Sequence, residues 1–181
     1  KYNTIVVFGN DKISASTYLN VCNVPHVYPI IDRSTNLRRV LRLLRRGSLN
    51  LRLIMQMMAS EISRPKLDFP KSTPSIRSNS ELREIIINSS VDRVVLFRCG
   101  LIINPTIISL GVPLLNIHCA RLSGYAGIGA IHRALADKAY NQCATLHQVT
   151  AGIDSGVVID TEAYKLDPKL SYTRNEDIAY K

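Results

Sequence analysis

Asn116 and His118 stand two apart near the end of an apolar run, and Asp154 follows downstream within Gly152-Ile153-Asp154-Ser155-Gly156. Together they supply what acyl transfer to an amine requires. An amide side chain can hold the oxyanion of a tetrahedral intermediate, an imidazole can move a proton near neutral pH, and a carboxylate can orient that imidazole. Taken singly the three have a simpler reading, because Asn and His often hydrogen-bond at strand ends and Asp favours a glycine-flanked turn. The choice between the two readings depends on the elements that position them.

Those elements alternate. Residues 4–8 are a β-rich apolar run closed by Gly9, Asn10 and Asp11; a helix is expected over about 14–21, and 27–31 reads as a second short strand. Between Arg33 and Arg52 lie seven arginines (33, 38, 39, 42, 45, 46 and 52) and no acidic residue, so most of the formal net charge of +9 belongs to one segment. Within it Leu37, Val40, Leu41 and Leu44 recur at helical spacing, which predicts an amphipathic helix ended by Gly47. A second helix over about 49–62 completes a basic helical pair spanning about 35–63, with Met55, Met57 and Met58 expected in the core. The basic face reads as solvated surface, or as attraction for an anionic substrate or headgroup. Aromatic interleaving for stacking on nucleic acid is absent, so nucleic acid is not an expected partner.

Residues 64–78 are polar and contain prolines, which marks a candidate mobile loop. Downstream the pattern predicts a helix over 80–88, strands at 93–97 and 113–117 with a short helix over 105–110 between them, a helix over about 130–138, extended segments at 144–149 and 157–164, and a final helix capped near Ser171 or Thr173. Continuous rather than alternating apolar strands imply an α/β fold with a mostly parallel sheet flanked by helices on both faces. In such sheets ligands bind beyond the carboxyl ends of strands. Three strand exits, carrying Asn116 and His118, the 97–101 loop, and Asp154, are therefore expected to converge on one crevice.

Size and composition set bounds on the reading. With 181 residues, 46% hydrophobic and 20% charged, the chain fits one domain able to bury one core, and no apolar run approaches the roughly 20 residues a bilayer span needs. Cys22, Cys99, Cys119 and Cys143 are scattered without metal-ligand spacing, and 2–10 lacks the build of a secretory signal, so no metal is expected and the cytoplasm is. A homodimer is left open.

The run 97–156 resembles the folate-dependent formyltransferases, which include glycinamide ribonucleotide, methionyl-tRNA and nucleotide-sugar N-formyltransferases. That family carries Asn-x-His followed by an Asp in a G-x-D-x-G setting, matched here by Asn116, His118 and Asp154. The resemblance implies a Rossmann-like formyltransferase fold, one catalytic domain over 1–181, and 10-formyltetrahydrofolate as the formyl donor. It implies that Asn116 holds the oxyanion, that His118 shuttles the proton, and that Asp154 positions His118 and an ordered water. The donor's pterin would lie along Arg98, Cys99, Gly100, Leu101 and Ile102, and along Val149, Ala151, Gly152 and Ile153. Gly9, Asn10, Tyr125, His132 and His147 are the expected substrate contacts, while His26 reads as a surface turn.

The chain also departs from its resemblance. Ser123 and Ala126 stand where many relatives have Pro and Arg, and Cys143 replaces a common Gly, which points to a divergent acceptor. The turn Gly9-Asn10-Asp11-Lys12-Ile13-Ser14 is not the G-x-G-S phosphate turn of the purine enzymes, and the C-terminal barrel of the tRNA-directed ones is not expected. The expected acceptor is a small-molecule primary amine, that of an amino sugar, free or as an anionic nucleotide-sugar. The alternatives are methionyl-tRNA-type or other small-amine transfer, or a non-catalytic folate- or anion-binding protein of the same fold.

Overall fold

The computed structural model describes residues 3–34, 44–45, 47 and 51–181. Five short strands run parallel: β1 (Thr4–Gly9), β2 (Val27–Asp32), β3 (Ser75–Ile76), β4 (Arg93–Phe97) and β5 (Leu114–His118). Two more, β6 (Asn141–Gln148) and β7 (Val158–Lys165), extend the sheet antiparallel, in the overall order β3-β2-β1-β4-β5-β6-β7.

Helices α1 (Lys12–Val21), α2 (Leu51–Ser63), α3 (Asn79–Ser89), α4 (Pro105–Ile108), α5 (Leu122–Tyr125), α6 (Ala130–Ala136) and α7 (Tyr172–Ala179) cover the sheet. Their starts are written locally. Asp11 accepts from the Ser14 amide at α1, Asn104 from Ile107 at α4, and Ser171 from Arg174 at α7. At α3, Ser78 accepts from the Glu81 amide while Glu81 reaches back to the Arg77 amide, so orphan donors are satisfied on both sides of the cap.

Because the parallel strands are apolar on both sides, both faces bury. One face packs Ile5, Val7, Ile30, Val94, Leu96 and Leu114 against Leu82 and Ile86 of α3 and Ile107 of α4. The other packs Phe8 and Phe97 against Ile13 and Tyr18 of α1, with Phe69 completing an edge-on aromatic cluster. A smaller cluster under α6 and α7 joins Cys119, Ala120, Ala130, Ile131, Ala134, Leu166 and Ala179. The α/β architecture expected from the sequence is the one found.

Several particulars differ from expectation. The first helix of the basic pair falls on residues outside those described, apart from Leu44, Arg45 and Gly47. Met55 and Met58 are exposed (62% and 59%) rather than core. The inner stripe of α2 is Leu53, Gln56, Met57 and Ser60, one helical face, and methionines at 55 and 58 turn away from it. The 64–78 connection is pinned at three places: Arg64 pairs with Glu176 and Asp177, Phe69 enters the aromatic cluster, and fully buried Ile76 lies in β3. β3 and α5 had no clear signal in the sequence, β3 because two residues carry no periodicity.

Candidate active site

Asn116 and His118 sit two apart on β5, so both side chains leave the same face of the sheet. His118 is the last strand residue, because β5 runs one residue later than the expected 113–117. Directly across from Asn116 stands His147 on β6. Asp154 reaches them by a different route from the one expected. Gln148, at the end of β6, lies opposite Leu115, near the start of β5, so β6 exits at the far end of the sheet.

The segment 149–157 then folds back. The Val149 amide donates to the Leu114 carbonyl, and the Gln148 amide donates to the Val157 carbonyl, closing the loop at its base. At that crossing a Cβ on Gly156 would lie 1.8 Å from the Gln148 carbonyl oxygen, so only glycine fits. Asp154 itself adopts the left-handed region, with φ of 47°, which aims its carboxylate back at β5.

The carboxylate is the centre of the constellation. Its Oδ1 accepts from Asn116 Nδ2 at 3.2 Å and lies 3.5 Å from His147 Nε2. Its Oδ2 accepts from the Gly127 amide at 2.7 Å and lies 3.2 Å from His118 Nδ1. Burial alone would raise the Asp154 pKa, but the neighbouring His147 and His118 imidazoles and the Gly127 amide outweigh it and bring it down to about 2. Asp154 is therefore ionised throughout the neutral range. His118 moves below its usual value because burial disfavours the imidazolium more than Asp154 favours it. Both ring nitrogens face acceptors, Asp154 Oδ2 and the Tyr125 carbonyl, which orient the ring and oppose that shift without overturning it.

His147 has an assignable tautomer. Its Nδ1 donates to the Gln148 carbonyl at 2.8 Å, which leaves Nε2 to accept from Asn116 Nδ2 at 3.1 Å. His147, expected as a substrate contact, thus holds the Asn116 amide in one orientation. The remaining His118 nitrogen, Nε2, lies 2.7 Å from the Tyr125 carbonyl.

These groups line a cavity of about 840 Å³ bounded by the β4 and β5 exits, the 126–133 segment, the 149–154 loop and α7. Cys99, Gly100, Leu101, Ile102, Val149, Ala151, Gly152, Ile153, His132 and His147 all contribute to its wall. Arg98 does too, but its guanidinium turns inward to Asp11 and Glu176 and lies 4.4 Å over the Tyr180 ring. Tyr125, expected as a substrate contact, is not part of the wall: its carbonyl faces His118 Nε2 and its hydroxyl donates to Asp137. Gly9 and Asn10 are not part of the wall. A Cβ on Gly9 would meet the Arg98 carbonyl at 2.3 Å, so the switch point between β1 and β4 is closed by that approach and the cavity opens one strand further along. His26 lies in an exposed turn with positive φ, as expected.

The sequence reading missed Asp32. Buried at the end of β2, it accepts from the Gly100 and Leu101 amides at 2.7 and 2.8 Å and from Cys99 Sγ, fixing the loop after β4. A carboxylate closing the apolar run of β2 was the available signal. Tyr172, Glu176 and Tyr180 around α7, and Leu53 and Met57 from α2, also reach the cavity without having been singled out.

The sequence profile of the formyl transferase family matches residues 33–178. The chain belongs to this family. The match takes in β4, β5, β6 and the whole Asp154 constellation. Among individual relatives, a formyltetrahydrofolate deformylase of Mycobacterium tuberculosis (strain ATCC 25618 / H37Rv) is 32% identical over 98 residues, which is 53% of this formyl transferase chain and 32% of the relative.

Among solved structures, glycinamide ribonucleotide transformylase 1 from Geobacillus kaustophilus superposes with a TM-score of 0.63 at 20% identity, covering 99% of this chain and 92% of that one. A candidate sugar N-formyltransferase from Mycobacterium tuberculosis gives 0.64 at 13% identity, covering 99% and 63%. At such identities the likeness speaks for the fold alone. The chain thus spans about a third of its curated relatives and less than two thirds of that last structure. Among the described residues no group of three or more His, Cys, Asp and Glu side chains is arranged to hold a metal ion, and no helix is long and apolar enough to cross a membrane.

Proposed function

We propose that this family member transfers a formyl group from 10-formyltetrahydrofolate to a primary amine, that of an amino sugar or a nucleotide-linked amino sugar. The observation that carries the reading is the meeting of Asn116, His118 and Asp154 through contacts of 3.2 Å at the wall of one cavity. The donor supplies an activated formyl carbon. Its flat heteroaromatic ring would pack on the apolar part of the wall that Leu101, Ile102, Val149 and Ile153 supply. The Gly100 and Leu101 amides already serve Asp32, so on this side the apolar faces do more of the holding than those amides.

As the amine attacks, the formyl oxygen gains charge, and one of the two Asn116 Nδ2 hydrogens, now given to His147 and Asp154, turns to it. His118 takes the proton the nitrogen sheds and returns it to the departing folate nitrogen, so the C–N bond to the donor breaks once the new one has formed and the tetrahedral intermediate collapses. Asp154 keeps His118 oriented throughout. For Nε2 to act, the Tyr125 carbonyl must yield its place to the amine. A cytoplasmic setting suits the four cysteines, none of which is in a disulfide.

A second reading replaces the amine with water, giving formate and tetrahydrofolate, and the 32% identity to a deformylase favours it. Incubation with 10-formyltetrahydrofolate, with and without a panel of amino sugars and their nucleotide-linked forms, separates the two. Formylated amine supports the first reading, formate released at the same rate with or without amine supports the second, and no donor consumption sinks both.

A further inference from the structure

The geometry points to His132 as a specificity residue for the acceptor: its Nε2 receives a hydrogen bond from a hydroxyl or ammonium group of a polyhydroxylated amine. This rests on the formyl-transfer reading, since it describes the acceptor side of the same cavity. His132 lies on α6 and lines that cavity. Behind it, outside the wall, Gln56 on α2 places Oε1 2.9 Å from His132 Nδ1. A carbonyl oxygen only accepts, so Nδ1 carries the ring proton and a neutral imidazole leaves Nε2 with a lone pair. Such an atom favours a partner that donates. A phosphate oxygen, which only accepts, gains nothing from it.

Gln56 is held in place from both sides. One turn before it, Leu53 is 5% exposed and packs against Gly129 at the start of α6, a position whose φ of 76° suits glycine. One turn after it, Ser60 Oγ lies 2.8 Å from Thr173 Oγ1 of α7. The Gln56 amide is thus carried by a helix docked at both ends of its inner stripe, and the His132 tautomer follows from that docking.

The other charged groups of the wall are already engaged. Asp154 serves Asn116, His118, His147 and Gly127; Glu176 pairs with Arg64 and Arg98; Arg133 donates to the Ala126 carbonyl. His132 Nε2 therefore stands out as an acceptor suited to reading a sugar hydroxyl.

Two measurements on the full chain test this. Long-range proton–nitrogen NMR at pH 8, with the His132 signals assigned by their loss in His132→Gln, should show the Nδ1–H tautomer in the wild type and a mixture in Gln56→Leu. A proton on Nε2 in the wild type overturns the inference and leaves the formyl-transfer reading standing. Steady-state kinetics with 10-formyltetrahydrofolate and aminohexoses, each paired with its monodeoxy analogues, should show His132→Ala raising the acceptor KM about three- to tenfold, the range of one neutral hydrogen bond, with kcat within about twofold. His132→Gln, whose side-chain oxygen also accepts, should recover part of the loss, and one deoxy analogue should bind wild type and His132→Ala alike. An equal loss with every deoxy analogue overturns the hydroxyl contact. Failure of the wild type to formylate any amine removes the amine reading, and the role of His132 with it.

Discussion

Asp154 keeps its charge while largely buried because three donors converge on two oxygens, and the consequences can be read from its pKa of about 2 against 3.8 when free. A carboxylate whose folded pKa is depressed adds stability that is fully present above about pH 4 and is lost as pH falls toward 2. Acid titration of the wild type followed by circular dichroism should show that loss, and Asp154→Asn should flatten it.

In the proposed transfer His118 can accept a proton only when neutral, and burial lowers its pKa, so the acid limb of kcat/KM should fall at a pH below the ordinary value of about 6.5. In Asp154→Asn the attraction that raises the His118 pKa is gone, and any residual activity should show its limb still further to acid. Asn116→Ala should lower kcat by about 10²–10³, the usual cost of one oxyanion donor, with little change in donor KM.

These three residues were marked out by their order along the chain and by the family resemblance, since their side-chain chemistry alone left the strand-end reading open. Gln56 could not, and Asp32 offered only a carboxylate closing an apolar run, because what each does depends on which loop or helix is brought against it. An isolated Asp or Gln carries no such information.

At the level of elements, the return of 149–157 decides whether Asp154 meets β5. The sequence made Asp154 an exit residue of a strand parallel to β5, but β6 is antiparallel, a pairing that a 22-residue interval from His118 to Tyr140 holding two short helices does not announce. Gly156→Ala puts a methyl group into the Gln148 carbonyl, so it should cost about 1–3 kcal/mol and lower kcat in the same variant, measured by denaturant melts and initial rates.

α7 closes the cavity from the other side through Glu176, whose side chain is 6% exposed and pairs with both Arg64 and Arg98. Glu176→Gln leaves two poorly solvated guanidinium groups short of a counter-charge. A loss of about 3 kcal/mol in urea unfolding is expected, the scale of a broken buried pair. The final helix was legible from Ser171 and its downstream pattern, whereas its ionic tie to Arg64 was not, since the two lie 112 residues apart.

For the molecule as a whole, the alternation of apolar strands with helices was enough to give an α/β sheet covered on both faces, because continuous runs such as Val94 to Phe97 leave no solvent face. The charge pattern was less informative: most of the +9 sits between residues 33 and 52, largely outside the described residues, and the cavity owes its chemistry to side chains elsewhere. Leu82, fully buried on the inner face of α3, separates fold from chemistry: Leu82→Ala should lower stability by about 2–5 kcal/mol and leave the pH profile of the remaining folded protein unchanged.

The most direct test of formyl transfer is a product assay by mass spectrometry, with 10-formyltetrahydrofolate, the amino-sugar panel, and wild type beside Asn116→Ala and His118→Ala. The expected result is a formylated amine gaining 28 mass units, formed by the wild type and reduced at least about a hundredfold in both variants. Formylated amine at equal rates in all three proteins, or formate as the product whatever amine is supplied, would contradict it.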